Sequence, residues 1–331
     1  MPPAAPAGLS APSVVTDGVA RVEDALRAAL DTGDAFLTDV ASHLIAAGGK
    51  RLRPAFAVAA GATGGVDRVT DDVVQGGASV ELVHVGSLYH DDVIDDATTR
   101  HDVDSVNARW GNLVAILAGD FLLARASEIA ASLGTEVAGL LAATIGRLCQ
   151  GEVIEIRTAF DTARTEESYV AAIAGKTAAL FSSSARIGAI VGGLPRPHID
   201  ALTAFGERYG MAFQIVDDVF DVIATDGELG KPAGHDMVEG VYTLPVLRTL
   251  ANGSRTAEEL RAVLGKPLDE AEKDHARDLV RRGGAVSDAI AVADGYARSA
   301  IAALGMIGES EATAWLAGAA RQLVDRVASR V

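Results

Sequence analysis

Six aspartates fall into two matching triplets. Asp91, Asp92 and Asp95 stand at i, i+1 and i+4 in HDDVIDD, and Asp217, Asp218 and Asp221 repeat that spacing in VDDVFD. On a helix, i and i+4 share a face and i+1 flanks it, so each triplet aims two or three carboxylates the same way. Carboxylates packed like this repel, and something of opposite charge must neutralise them. Oxygen ligands without cysteine or paired histidine suit a hard cation, Mg2+ or Mn2+, rather than Zn2+. Mg2+ takes one or two carboxylates and completes its octahedron with water and phosphate oxygens. Two such triplets facing each other would clamp a polyphosphate through metal ions. Two solvated helix ends are the plain alternative. They fit poorly, because both triplets continue from apolar runs.

Lysine placement supports a phosphate ligand. Of 29 basic residues only five are lysine, and Lys50 in GGKRLRP, Lys176 in AGKTAAL and Lys231 in GKPAGHD each follow a glycine. Lysine offers phosphate a compact point charge.

Helices must carry these residues. Apolar residues recur at three and four along most of the 331 residues, and alternating strand patterns are missing. Breaks fall at glycine- and proline-rich stretches such as AAGGKRLRP, GGLPRPH and TDGELGKPAGHD, with no proline/serine-rich linker. The expected architecture is all-α, one antiparallel bundle over residues 17–331, with 1–16 as a loose tail. Hydrophobic residues make up 49% of the chain, enough for a sizeable core. The net charge of −16 disfavours nucleic-acid binding. Cys149 is the only cysteine, which excludes an intrachain disulfide and a cysteine metal cluster. The N-terminus does not read as a signal peptide, and no run reads as a membrane span, so a cytoplasmic protein without stable membrane insertion is expected.

With GGKRLRP, ELVHVGSLYHDDVIDD, GDFLLARA, GKTAALF, FQIVDDVFD and GKPAGHDMVEGVYTLP in this order, the sequence resembles the trans-polyprenyl diphosphate synthases, closest to the medium- and long-chain members. The resemblance implies a helical bundle around a central cavity, usually in a homodimer. It implies Mg2+-dependent condensation of isopentenyl diphosphate onto an allylic diphosphate, with about three Mg2+ per site. Matched residue by residue, Asp91, Asp92, Asp95, Asp217, Asp218 and Asp221 would hold the metal. Arg100, Lys176 and Lys231 would contact the allylic diphosphate. Thr177 and Gln214 would lie near the cationic intermediate, and Lys50, Arg53 and His84 would hold isopentenyl diphosphate.

Two positions depart from the family pattern. Arg100-His101-Asp102 stands where the family usually has Arg-Arg-Gly, which puts His101 where an arginine normally grips isopentenyl diphosphate. Val241 stands where many members carry lysine. Product length would depend on Gly86 and Ser87, about 6–7.5 Å before Asp91 along the helix. Both are small, which favours a product of about seven to ten isoprene units by family analogy, with Gly86 as a mere packing glycine the plain alternative. Competing readings are a shorter-chain farnesyl or geranylgeranyl synthase, a terpene cyclase, and a non-catalytic subunit of a heteromeric synthase. Intact DDxxD motifs and GGKRLRP weigh against the last two.

Overall fold

The three-and-four recurrence becomes helix over nearly all of the described chain. The computed structural model describes residues 10–225 and 233–330. Helices α1 (Ser13–Ala29), α2 (Ala35–Ala47), α3 (Leu52–Ala62) and α4 (Asp71–Ile94) precede a short hairpin, β1 (Thr99–Arg100) and β2 (Val103–Asp104). Next come α5 (Val106–Trp110), α6 (Asn112–Ser132), α7 (Thr135–Arg157) and α8 (Glu166–Ile173), a π-helical turn (Ala174–Ala178), α9 (Ala179–Val191) and α10 (Arg196–Ile223). The remainder is α11 (His235–Val238), α12 (Leu244–Ala251), α13 (Arg255–Val263), α14 (Glu270–Arg282), α15 (Ala285–Ala303) and α16 (Glu311–Ala328). Helix α1 starts at Ser13, inside the stretch expected as tail.

Helix starts follow local chemistry. Asp34, Thr70, Ser105, Thr165, Ser254 and Asp269 each accept a backbone N–H of the first turn that follows, which satisfies a donor the helix leaves open.

The fold divides into two compact units, one containing the described chain to Ile145, Leu180–Gly206 and Ala303–Ala319, the other Gly146–Ala179, Glu207–Ala302 and the chain from Ala320. Their boundaries fall inside α7, α9, α10, α15 and α16 rather than in a linker, so no compositional break marks them. In the first unit, α3 is buried from Pro54 to Ala62. Its Phe56 is packed by Phe181 (5.3 Å between ring centroids), Phe205 (5.7 Å) and Trp315 (6.1 Å). In the second unit, Arg277 and Arg281 of α14 donate to the carbonyls of Val222, Ile223 and Ala224 at the end of α10, at 2.6–3.3 Å. These carbonyls are the negative pole of the helix, and two guanidinium groups offset it.

Candidate active site

The first triplet ends α4 and sits on a helix terminus that is itself negative. Ala97 N–H donates to Asp92 O (3.0 Å), and Asp96 takes a left-handed φ of 49°. This is a Schellman-type stop, with aspartate where glycine is usual. Asn107 Nδ2 closes it by donating to the carbonyls of Asp92 and Ala97, both at 3.0 Å. Asp92 is fully buried. Its Oδ1 accepts from Arg100 Nε (2.8 Å) and Nη2 (2.5 Å), and its Oδ2 is buried without a hydrogen bond. Burial pushes the Asp92 carboxyl above its ordinary range, against the pull of Arg100 and His101. Asp91 is half-buried and Asp95 exposed.

The hairpin supplies Arg100. Its two-residue turn is His101-Asp102, with φ of 53° and 64° and Arg100 paired to Val103. Two positive φ values in succession are what a type I′ hairpin turn demands. The departure noticed in the sequence is therefore also a departure in backbone preference, because neither residue is glycine. Burial, Arg100 and Arg51 hold the His101 imidazole below its usual range. His84 is held well below it by burial, Arg53, His101, Arg51 and Arg100. Both shifts follow from burial beside arginines, whose positive charge disfavours a further cation there. Arg53 lies 4.9 Å from the Phe181 ring centroid, and Lys50 is exposed.

Gly86 corrects one expectation. A Cβ there would lie 3.2 Å from Gly119 O and 3.3 Å from the Leu123 side chain, both on α6. A Cβ would require α6 to give by a few tenths of an ångström, so Gly86 faces close packing against α6 rather than open space for a growing chain. Ser87 is half-buried, and its Oγ donates to His84 O.

The second triplet lies in the last two turns of α10. Asp217 is exposed, whereas Asp218 and Asp221 are 3% exposed. Tyr169 Oη donates to Asp218 Oδ2 (2.5 Å), and Gln214 Nε2 donates to Asp218 Oδ1 (2.8 Å). Thr177 Oγ1 donates to Gln214 Oε1 (2.6 Å). Burial raises the Asp218 carboxyl to about 7, although both hydrogen bonds pull it down, and Asp217 and Glu155 add repulsion.

Lys176 and Thr177 sit in the π-helical turn, where α7 approaches backbone to backbone. A Cβ on Gly151 would lie 2.5 Å from Lys176 N, and one on Gly175 2.6 Å from Arg147 O. Lys176 Nζ meets Glu152 (2.9 Å) and Glu155 (2.5 Å). Its charge is more than cancelled, so it does not stand as a bare phosphate site. Lys176, Thr177, Tyr169, Gln214, Asp218 and Val241 line a cavity of about 120 Å³ that also receives Glu155, Asp236 and Glu239. Its lining has one lysine against four acids, so the cavity favours a cation, or an anion that arrives with cations. Lys231 lies outside the described residues.

Among the described residues, no three of His, Cys, Asp and Glu come together as a ready metal cage. Mg2+ does not require one, because water and phosphate oxygens supply most of its shell. The all-oxygen donor set and the orphaned Oδ2 of Asp92 fit such an incomplete site. Sequence reasoning missed Glu152, Glu155, Tyr169, Arg51, Glu81 and Asn107. Glu152 and Glu155 are one turn apart on a largely apolar helix, a signal that was available. Tyr169 carries no such signal, since its partner is 49 residues away.

The chain matches the polyprenyl synthetase family over residues 34–280. It is 38% identical over 289 residues to nonaprenyl diphosphate synthase of Mycobacterium tuberculosis, covering 87% of this chain and 86% of that protein. It is also 38% identical over 290 residues to heptaprenyl diphosphate synthase component 2 of Geobacillus stearothermophilus (87% and 89% coverage). Geranylgeranyl pyrophosphate synthase from Corynebacterium glutamicum, solved with calcium and isoprenyl diphosphate, superposes with a TM-score of 0.83 at 39% identity, covering 95% of this chain and 96% of that one. With the acid-ended helices and the lysine-threonine turn already in place, these likenesses show that the chain belongs to the polyprenyl synthetase family of prenyltransferases, which lengthen trans-prenyl chains.

Proposed function

We propose that the chain condenses isopentenyl diphosphate onto an allylic diphosphate in a Mg2+-dependent reaction and releases a medium- to long-chain all-trans polyprenyl diphosphate. The observation that carries this reading is the network Thr177–Gln214–Asp218–Tyr169 beside Lys176. It orients a carboxylate and a lysine on one cavity wall. Bound Mg2+ would supply Lewis-acid charge to the departing diphosphate. Asp91, Asp92 and Asp95 would hold metal in the first unit, and Asp217, Asp218 and Asp221 would hold metal in the second. Arg100 and Lys176 would take phosphate oxygens, with Lys231 as the corresponding expectation from the sequence. Arg53, Lys50 and neutral His84 would hold isopentenyl diphosphate, with His101 a weaker contact than the arginine it replaces. With Gly86 closed by α6, the long-chain reading rests on small Ser87 and on the two long-chain relatives.

The active form we propose is a homodimer. On α6, Leu113 is 72% and Leu117 59% exposed, and on α7, Val153 and Ile156 are each about half exposed. The α7 helix is also long and apolar enough, by length and composition, to cross a membrane. A second copy of the chain is the cover we propose for these faces. The Geobacillus relative is named as a component, which supports a second reading in which a different partner chain completes activity.

The test is incubation of the purified chain with Mg2+, labelled isopentenyl diphosphate and allylic diphosphates of five to twenty carbons, followed by sizing of the products. A ladder ending at long polyprenyl diphosphates is expected. Arrest at fifteen or twenty carbons keeps the reaction and refutes the length. No elongation by the chain alone refutes the homodimeric enzyme.

A further inference from the structure

The segment Gly48–Arg53 is pliable by composition. Gly48 and Gly49 have φ of 100° and 151°, which only glycine adopts readily. Something has to pin it if Lys50 and Arg53 are to meet a ligand in one geometry. Arg51 has the means. It is 5% exposed, and its own φ is 46°, a conformation that side chains with a Cβ disfavour. Its Nη2 donates to Ile45 O (2.8 Å) and its Nη1 to Gly48 O (3.4 Å), so it closes the segment on itself. Its Nε donates to Glu23 on α1 (2.5 Å), and Nη1 also donates to Glu81 on α4 (3.0 Å). Glu81 is 3% exposed and stands one helical turn before His84. Its Oε2 is buried without a hydrogen bond. A pair kept only for stability gains nothing from an orphaned oxygen.

We infer that Arg51, Glu81 and Glu23 are positioning residues for isopentenyl diphosphate, pinning the glycine segment to the stretch of α4 that bears His84. This inference rests on the proposed function. Arg51 touches no substrate in this scheme. It fixes the segment that presents Lys50 and Arg53.

The test is steady-state kinetics of the full chain and of Glu81→Gln, Glu81→Ala and Glu23→Gln, varying isopentenyl and farnesyl diphosphate in turn with saturating Mg2+. Thermal melting of each variant accompanies it. The KM for isopentenyl diphosphate should rise about tenfold in Glu81→Ala and less in Glu81→Gln, with kcat and the farnesyl KM within about twofold of the parent. Calorimetric titration with isopentenyl diphosphate alone should rank the variants in the same order without turnover. A fall in melting temperature or kcat with isopentenyl affinity unchanged would make the cluster merely structural and overturn the inference. If Glu81→Ala does not fold, Glu23→Gln decides, since Glu23 is partly exposed; parent-like affinity there refutes the role. A parent chain that binds isopentenyl diphosphate but elongates nothing would refute the proposed function and leave the calorimetric ranking to judge the positioning. A parent chain that does not bind it refutes both.

Discussion

Asp218 must be ionised to hold a metal, yet burial raises it to about 7. Its folded-state value therefore lies above the ordinary one of 3.8. The metal-free protein should lose stability as pH rises from about 4 to about 7, by up to about 1.4 kcal/mol per unit from this group. Asp218→Asn should flatten that slope in melting experiments with a chelator present. The Tyr169 hydroxyl opposes the rise, so Tyr169→Phe should move the acid limb of the pH–rate profile upward by about one unit at subsaturating Mg2+. A profile unchanged by Tyr169→Phe would remove that hydrogen bond from the mechanism. Lys176 poses the opposite problem. Lys176→Met would leave Glu152 and Glu155 facing each other, at a cost of about 1–3 kcal/mol, below that of a fully buried pair because a third of Lys176 is exposed. Adding Glu155→Gln should recover the melting temperature without recovering activity. Recovery of both would mean that Lys176 serves the fold alone. The aspartates and Lys176 were legible in the sequence because their spacing is local. Tyr169, Glu81 and the double pairing of Lys176 were not, since each depends on residues brought together from separate helices.

At the scale of elements, the hairpin and the α4–α6 contact carry the consequences. His101 and Asp102 both occupy positive φ without glycine. Asp102→Gly should relieve about 0.5–1 kcal/mol and raise the melting temperature by about 1–3 °C. An unchanged or lower melting temperature would show that the turn is not strained. The hairpin itself was not anticipated, because a four-residue pairing in an acidic stretch leaves no alternation to detect. Helices α4 and α10 were legible as long apolar runs ending in acids, and their ends behave alike. Arg100 answers the Asp92 carboxylate of one, and Arg277 and Arg281 answer the carbonyls of the other. Gly86 shows where a sequence argument fails. Its small size reads equally as open space and as tight packing, and only the Gly119 carbonyl decides. Gly86→Phe should therefore cost soluble protein rather than shorten the product. Ser87→Phe should fold and shorten it, as thin-layer separation of dephosphorylated products would reveal. An unaltered product ladder from Ser87→Phe removes this turn of α4 from length control.

For the molecule as a whole, charge and apolar surface oppose each other. Each chain carries −16, so two copies repel, yet α6 and α7 each leave large apolar side chains in water. Covering apolar surface is worth about 25 cal/mol per Å², and salt screens the repulsion within about 10 Å at 0.1 M. Association should accordingly tighten as salt rises, the reverse of a contact held by ion pairs. Leu113→Glu combined with Leu117→Glu should yield monomer by sedimentation velocity at concentrations where the parent is dimeric. Cys149 supplies an independent reading. It is exposed on the chain and shares a face of α7 with Val153 and Ile156, four and seven residues on. In a dimer that covers this face, the thiol should react slowly with an aromatic disulfide reagent, and dilution should speed it. A parent chain that sediments as a monomer with a fast-reacting Cys149 would leave both faces in need of a different partner. The heteromeric reading would then be the one to pursue.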